Sequence, residues 1–243
     1  ENWKIQHNKL HHTYTNITGL DEDIHPNDLL RFSPHEKLKK HHKYQHYYAW
    51  LLYGLMTLMW VVTKDFNQMK RYRDKGLISG KKDYSRLILE MAIAKIIYIS
   101  YMIVLPLILL PIPWWMFLIF FVMMHYTAGL ILGCVFQPAH VMEKCEYPLP
   151  DKEGMIDKDW NIHQMHTTTN FAPKNKILSW YVGGLNYQVE HHLFPNVCHV
   201  HYPAISKIVR QTAEEFNVPY YTRSTFMGAL YDHAMMLREL GRK

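Results

Sequence analysis

From Ile96 to Met142 the chain runs for 47 residues without an aspartate, glutamate, lysine or arginine. A bilayer-spanning helix needs roughly 20 apolar residues, so this stretch has room for two passes and a turn. Leu110-Pro111-Ile112-Pro113 supplies the turn, because closely spaced prolines remove backbone donors and break a helix. Two buried core helices of a soluble protein would be unusual at this length without a charge. Residues 91–137 therefore read as a transmembrane hairpin, roughly 91–110 and 113–137.

Charge agrees with that reading. The chain carries a net +6. Lys64, Lys70, Arg71, Arg73, Lys75, Lys81, Lys82 and Arg86 crowd the segment before the hairpin, whose own turn has no charge. Basic flanks on the cytoplasmic side and a bare turn outside is the positive-inside pattern, and it argues for a lipid bilayer rather than nucleic acid as the partner. Residues 1–46 are polar and histidine-rich, with Asp21-Glu22-Asp23 and Pro26 as an irregular break. Residues 64–90 read as a basic connector, 141–187 as polar, and the region from Gln188 as helical, with Pro203 before Ile205-Ser206-Lys207-Ile208-Val209. Cys134, Cys145 and Cys198 form no CxxC pair and no even-numbered framework, so they read as bystander thiols in a reducing compartment.

Histidine carries the chemistry. Of 17 histidines, the most informative fall in His7-Asn8-Lys9-Leu10-His11-His12, in Gln137-Pro138-Ala139-His140 at the end of the apolar stretch, and in Gln188-Val189-Glu190-His191-His192. On α-helices, His7 and His11 share a face, as do Gln188, His191 and His192, and Gln137 with His140. Clustered imidazoles suit iron, zinc, copper or nickel, so ligand type alone leaves the metal open. If clusters on both sides of the hairpin serve one site, they lie on one side of the bilayer. A third crossing by the uncharged run 47–63 would separate them, which places that run in the interface. Among the other histidines, His163 and His166 read as donors that orient ligands or as loop residues. His42 and His46 read as a headgroup anchor and His125 as structural. His25, His199 and His201 read as structural or ligand-orienting, and His35 and His233 as solvated.

These clusters resemble the histidine boxes of the membrane-bound fatty acid desaturases, specifically the front-end group similar to bacterial acyl-CoA (linoleoyl-CoA-type) enzymes. His7 through His12 resembles the second box, HxxHH or HxxxHH, followed by Thr13-Tyr14-Thr15-Asn16. Gln188-Val189-Glu190-His191-His192-Leu193-Phe194-Pro195 resembles the third box in its Gln-initiated form, and Gln137 with His140 the additional QxxH ligand. Gln164 through Phe171 resembles the segment before the third box. The family's first box, HxxxH, has no counterpart upstream of His7, so the chain reads as the C-terminal part of a longer protein, lacking at least two of the ligands the family uses.

The resemblance implies a single all-α domain over residues 1–243: a membrane-embedded helical fold with one transmembrane hairpin, an interfacial helix and a cytoplasmic helical cap bearing the histidine boxes. It implies two non-haem iron ions held by His7, His11, His12, His140, His191 and His192, with Gln188 ligating weakly or through water, and no catalytic residue apart from the ligands. Dioxygen is the implied co-substrate, a long-chain fatty acyl group carried on CoA or a lipid the implied substrate, and ferredoxin or cytochrome b5 the implied electron donor. The implied location is multi-pass in a membrane, a bacterial cell membrane being favoured, with the active site on the cytoplasmic side. A membrane di-iron lipid hydroxylase or a sphingolipid desaturase is the nearest alternative, because the same ligands can insert oxygen. A non-catalytic metal-binding membrane protein is the alternative from another class. It fits less well, because only His125 lies mid-membrane, where a transporter places ionisable residues along several passes.

Overall fold

The computed structural model describes residues 1–24 and 28–243; His25 and Pro26 of the expected break lie outside the described residues. The described chain is helical apart from one parallel strand pair, Asn170 with Thr222 and Phe171 with Arg223. It divides into two compact units, Glu1–Ile5 with Leu51–Leu132, and Gln6–Trp50 with Gly133–Lys243.

The first unit contains most of the apolar helices, the end of Trp114–His140 from Gly133 onward belonging to the second. Two of them are long and apolar enough to cross a membrane, Gly80–Leu109 (30 residues) and Trp114–His140 (27 residues), and Leu110–Pro113 separates them as the prolines predict. Their apolar side chains are not a soluble core: Ile96, Ile97 and Ile108 are 63%, 62% and 73% exposed. Apolar surface so continuous calls for lipid around it. The first helix starts eleven residues earlier than the hairpin reading placed it, and the expected connector is largely helix, since Asp65–Asp74 is helical too. Lysine and arginine are good helix formers, and Arg86 pairs with Glu90 one turn on at 2.8 Å. The basic run therefore marks a change in polarity without ending the helix.

Two wider π turns punctuate this unit. Ser100–Val104 precedes Pro106, whose ring would clash with the carbonyl of Met102 in an unbroken α-helix. The uncharged run 47–63 lies in the helix Gln45–Met59 and its π-helical continuation Trp60–Lys64. Lys95 donates to the carbonyls of Trp60 and Val61 at 2.7 and 3.0 Å and to Asp65 at 2.9 Å, so this lysine of the apolar helix is paired. His125 bonds Thr57 at 3.0 Å and Tyr98 at 2.7 Å, the structural role its mid-helix position suggested. The helices meet backbone to backbone at Gly129, where a Cβ would stand 2.6 and 2.7 Å from the carbonyl oxygens of Tyr53 and Gly54. Backbone cannot yield as a side chain does. Gly129→Ala should cost about 1–3 kcal/mol, read as a lower midpoint of unfolding in detergent. An unchanged midpoint would show that the helices can part there without cost.

The second unit carries the histidine clusters on short helices. Met165, Val189, Val209 and Ala213 form a buried cluster that fixes Gln188–Leu193 between Trp160–Thr167 and Tyr202–Glu215. A second cluster joins Val135 and Ala139 to Phe171, Ala172 and Ala229. The C-terminal helix Phe226–Leu240 ends on buried donors: Gln45 donates to the Leu237 carbonyl at 2.7 Å, and Arg31 to that of Leu240. Helix ends leave carbonyls unsatisfied; Arg31 supplies the partner for Leu240, while Gln45 adds a second donor to the Leu237 carbonyl, which also accepts from the Gly241 amide at 3.1 Å.

Three expectations about histidines are corrected here. His42 is buried, with Nε2 toward the Asp28 carbonyl at 3.0 Å and Nδ1 toward the Lys39 amide at 3.2 Å, so it braces a turn rather than meeting headgroups. His199 and His201 are exposed. His233, expected in solvent, is fully buried beside Phe32 and Trp50 and donates from Nδ1 to the Val141 carbonyl at 2.8 Å. A lone histidine on an amphipathic helix looks the same in sequence whether its face is wet or packed.

Burial lowers the His233 pKa from 6.5 to about 4, because the charged ring has nothing to solvate it. The folded form then binds fewer protons than the unfolded form between those values. Its contribution to stability is full above pH 6.5 and is lost as pH falls toward 4, about 3 kcal/mol in all. His233→Asn, which keeps a donor near Nδ1, should flatten the pH dependence of unfolding over that window; an unchanged slope would refute the assignment.

Candidate metal centre

The first cluster is wound as a π-helix over Lys4–His11, followed by His12–Tyr14. An α-helix would put His7 over His11. π winding closes bonds five residues apart, and here His7 meets His12, their Nε2 atoms 3.2 Å apart. His191 joins them, its Nε2 3.4 Å from that of His7. His11 instead faces His140 and His192, with ring centroids 4.6 and 4.9 Å away. The result is two trios, His7–His12–His191 and His11–His140–His192, in each of which the donor atoms lie within 4.8 Å of one another. Neighbouring residues on a helix point about 100° apart. The doublets His11-His12 and His191-His192 therefore each give one ring to each trio.

The outward nitrogens decide which atoms face inward. His11 Nδ1 lies 3.0 and 3.1 Å from the Asp21 carboxylate oxygens. His140 Nδ1 donates to the Thr167 carbonyl at 3.2 Å, and His192 Nδ1 to Gln164 Oε1 at 2.8 Å. His191 Nδ1 is 3.4 Å from the Tyr202 hydroxyl. A proton fixed on Nδ1 leaves the Nε2 lone pair free as a ligand. His192 Nε2 is buried with no hydrogen-bond partner, a cost that native interiors rarely carry without a reason. Imidazole nitrogens around a first-row divalent ion at about 2.0–2.1 Å in tetrahedral array stand roughly 3.3–3.4 Å apart. The spacings of 3.2 and 3.4 Å match that edge. The residues fit a metal.

Electrostatics agrees. Burial, with the other histidines around it, pushes His12 down to about 2 and His191 down to about 4, and His192 falls well below 6.5 for the same reasons. These rings are neutral donors at neutral pH. His11 differs: burial works against its charge, but Asp21 and Asp23 overcome it and push its pKa up to about 9. Burial also opposes charge on Asp23, yet His11, His7 and Gln6 hold that carboxyl below the usual range. The carboxylate pair favours positive charge at this spot, and a bound cation would satisfy it as a proton does.

Gln188 is buried at the start of Gln188–Leu193. Gln137 is half-buried, and its carbonyl accepts from the Val141 amide at 2.9 Å. His163 is buried outside both trios, and His166 bonds Glu146 at 2.6 Å beside Lys158. Sequence reasoning missed Asp21, Asp23, Gln164 and Tyr202 as partners of the cluster. Asp21 is reached because Asn16 turns the chain at φ +59, a region asparagine tolerates, while its amide donates to Asp21 at 2.8 Å. The signal was the acidic run ten residues after His11. Glu190, fully buried between the third-cluster residues, accepts from Asn170 at 2.8 Å and from Tyr220 at 2.9 Å.

Comparison with known proteins places this geometry in context. The sequence model of the fatty acid desaturase family matches residues 1–224. An sn-1 linoleoyl-lipid 6-desaturase of Arthrospira platensis is 39% identical over 242 residues, covering 98% of this chain and 64% of its own length. The protein of the same name from Synechocystis is 37% identical, covering 99% of this chain and 67% of its own length. An acyl-lipid (8-3)-desaturase of Physcomitrium patens is 37% identical over 98% of this chain and 50% of its own length. The chain thus spans between half and two thirds of these relatives. No solved structure matches it.

Proposed function

Because this chain belongs to the fatty acid desaturase family, we propose that its two histidine trios hold two iron ions and that the whole protein desaturates a long-chain acyl group of a membrane lipid. The observation that carries the reading is the convergence of six histidines, from three separate clusters, into two adjoining trios with Nε2 facing inward. Iron bound there would supply, with dioxygen, the oxidising power to take two hydrogens from adjacent methylenes, whose C–H bonds no general base can ionise.

The chain's own residues then do three things. His7, His12 and His191 offer one set of donors, and His11, His140 and His192 the other, and Gln188 ligates weakly or through water. Asp21, Gln164, Thr167 and Tyr202 hold the rings in the ligating tautomer. Burial of the second set keeps bulk water from the oxidising position. A lipid-borne substrate and front-end regiochemistry follow the names of the relatives from Arthrospira and Physcomitrium. Electrons come from a ferredoxin or cytochrome b5 partner. The site faces the cytoplasm, and residues 47–63 lie in the interface.

The test is a fatty-acid profile, by gas chromatography with mass spectrometry, of a host expressing the complete open reading frame. A new unsaturated acid, absent with an inactive variant, is the expected result. A hydroxylated acid would move the assignment to a lipid hydroxylase. No product from a folded, iron-loaded protein with a working electron donor would overturn it.

A further inference from the structure

We infer that the two trios are unequal positions: His11–His140–His192 is the tight one, His7–His12–His191 the exchangeable one, and Asp21 sets the difference. This rests on the reading that both trios hold metal, and it adds which is filled first and emptied last.

The first ground is access. His11, His140 and His192 are 2%, 6% and 0% exposed, whereas His7 and His191 are only half-buried. A ligand or chelator can approach the second trio along those two rings. The first trio offers no such edge.

The second ground is how firmly each ring is held before metal arrives. His11, His140 and His192 each have Nδ1 within 3.2 Å of a carboxylate, carbonyl or amide oxygen. Gln164, which holds His192, is itself fixed by Thr15 at 2.9 Å and donates to the His12 carbonyl at 3.1 Å. In the other trio, Tyr202 stands 3.4 Å from His191 Nδ1, and His12 Nδ1 is buried with no hydrogen-bond partner. Rings already in place lose less freedom on binding, which favours the first trio.

The third ground is charge. Asp21 makes the shortest carboxylate contacts to a ligand ring among the described residues, 3.0 and 3.1 Å from His11 Nδ1 against 3.5 Å for Asp23, and it is rigid. Its oxygens also accept from the amides of Asn16 and Asp23, each at 2.8 Å. A carboxylate behind an imidazole raises its basicity, and loss of such a partner typically lowers metal affinity about 10–100-fold.

The experiment is a Co(II) titration of the purified full chain in detergent, followed by absorption and by metal content, then back-titration with a chelator. Two uptake steps separated by at least about tenfold are expected, the later ion leaving first. Asp21→Asn should weaken the first step about 10–100-fold and spare the second. Tyr202→Phe should affect the second alone. Two ions bound with indistinguishable affinity would overturn the inference, and so would Asp21→Asn weakening both steps alike. A folded chain that takes up no metal would instead bring down the underlying reading. Because the wild-type titration alone can fail, the inference does not depend on the variants folding.

Discussion

Replacing His192 with alanine should abolish the unsaturated product, a fall of about a hundredfold or more, and should remove roughly half of the bound metal. Losing only the outer partner of a metal-bound histidine typically costs about 10–100-fold, so removing the ligand exceeds that. His192 is well suited to the test, because its Nε2 is buried without a hydrogen bond while its Nδ1 is held by Gln164. Metal content and product are read on the same preparation, alongside unfolding in detergent. A folded variant with full metal and full activity would strike His192 from the ligands. His191→Ala, at a half-buried ring, is the second arm should the deep cavity left by His192 prevent folding.

Glu190→Ala is expected to be the most damaging change outside the trios, at about 2–4 kcal/mol of stability. It strips a partner from Asn170 and from Tyr220, and a buried polar group left unsatisfied costs about 1–3 kcal/mol. Asn170 also accepts from the Val189 amide at 2.9 Å, so its displacement loosens the turn that presents His191 and His192. Glu190→Gln keeps an acceptor and the volume, and should cost about 1 kcal/mol. Equal losses for the two variants would show that the carboxylate itself is what matters, and that neither the volume nor the single acceptor kept by glutamine compensates for it. Metal content should follow stability here. For His192 the two should separate.

Much of this was legible in the chain. The 47 residues without a charge gave two long helices and the prolines between them gave the break, because both signals are local and strong. The helix start at Gly80 was not legible, since the basic residues that report polarity also form good helix. The six histidines were identifiable as a group, but not their division. That depends on π winding over Lys4–His11, which nothing in Lys-Ile-Gln-His-Asn-Lys-Leu-His announces. Asp21 could be seen as an acid and not as a partner of His11, because the contact is made by the turn at Asn16. His233 shows the converse: its burial comes from Phe32 and Trp50, far away in the sequence.

That π segment bears on how such a cluster changes length over time. A π turn is a helix carrying one residue more than α winding accommodates, and a single insertion within a helix is absorbed in that way. With the spacing HxxHH, ordinary winding brings the first and last histidines together, four residues apart. With HxxxHH, as in His7 to His12, they are five apart and the wider turn restores the meeting at 3.2 Å. The two spacings are then two forms of one device, with the added residue taken up by the backbone and the meeting of the rings preserved.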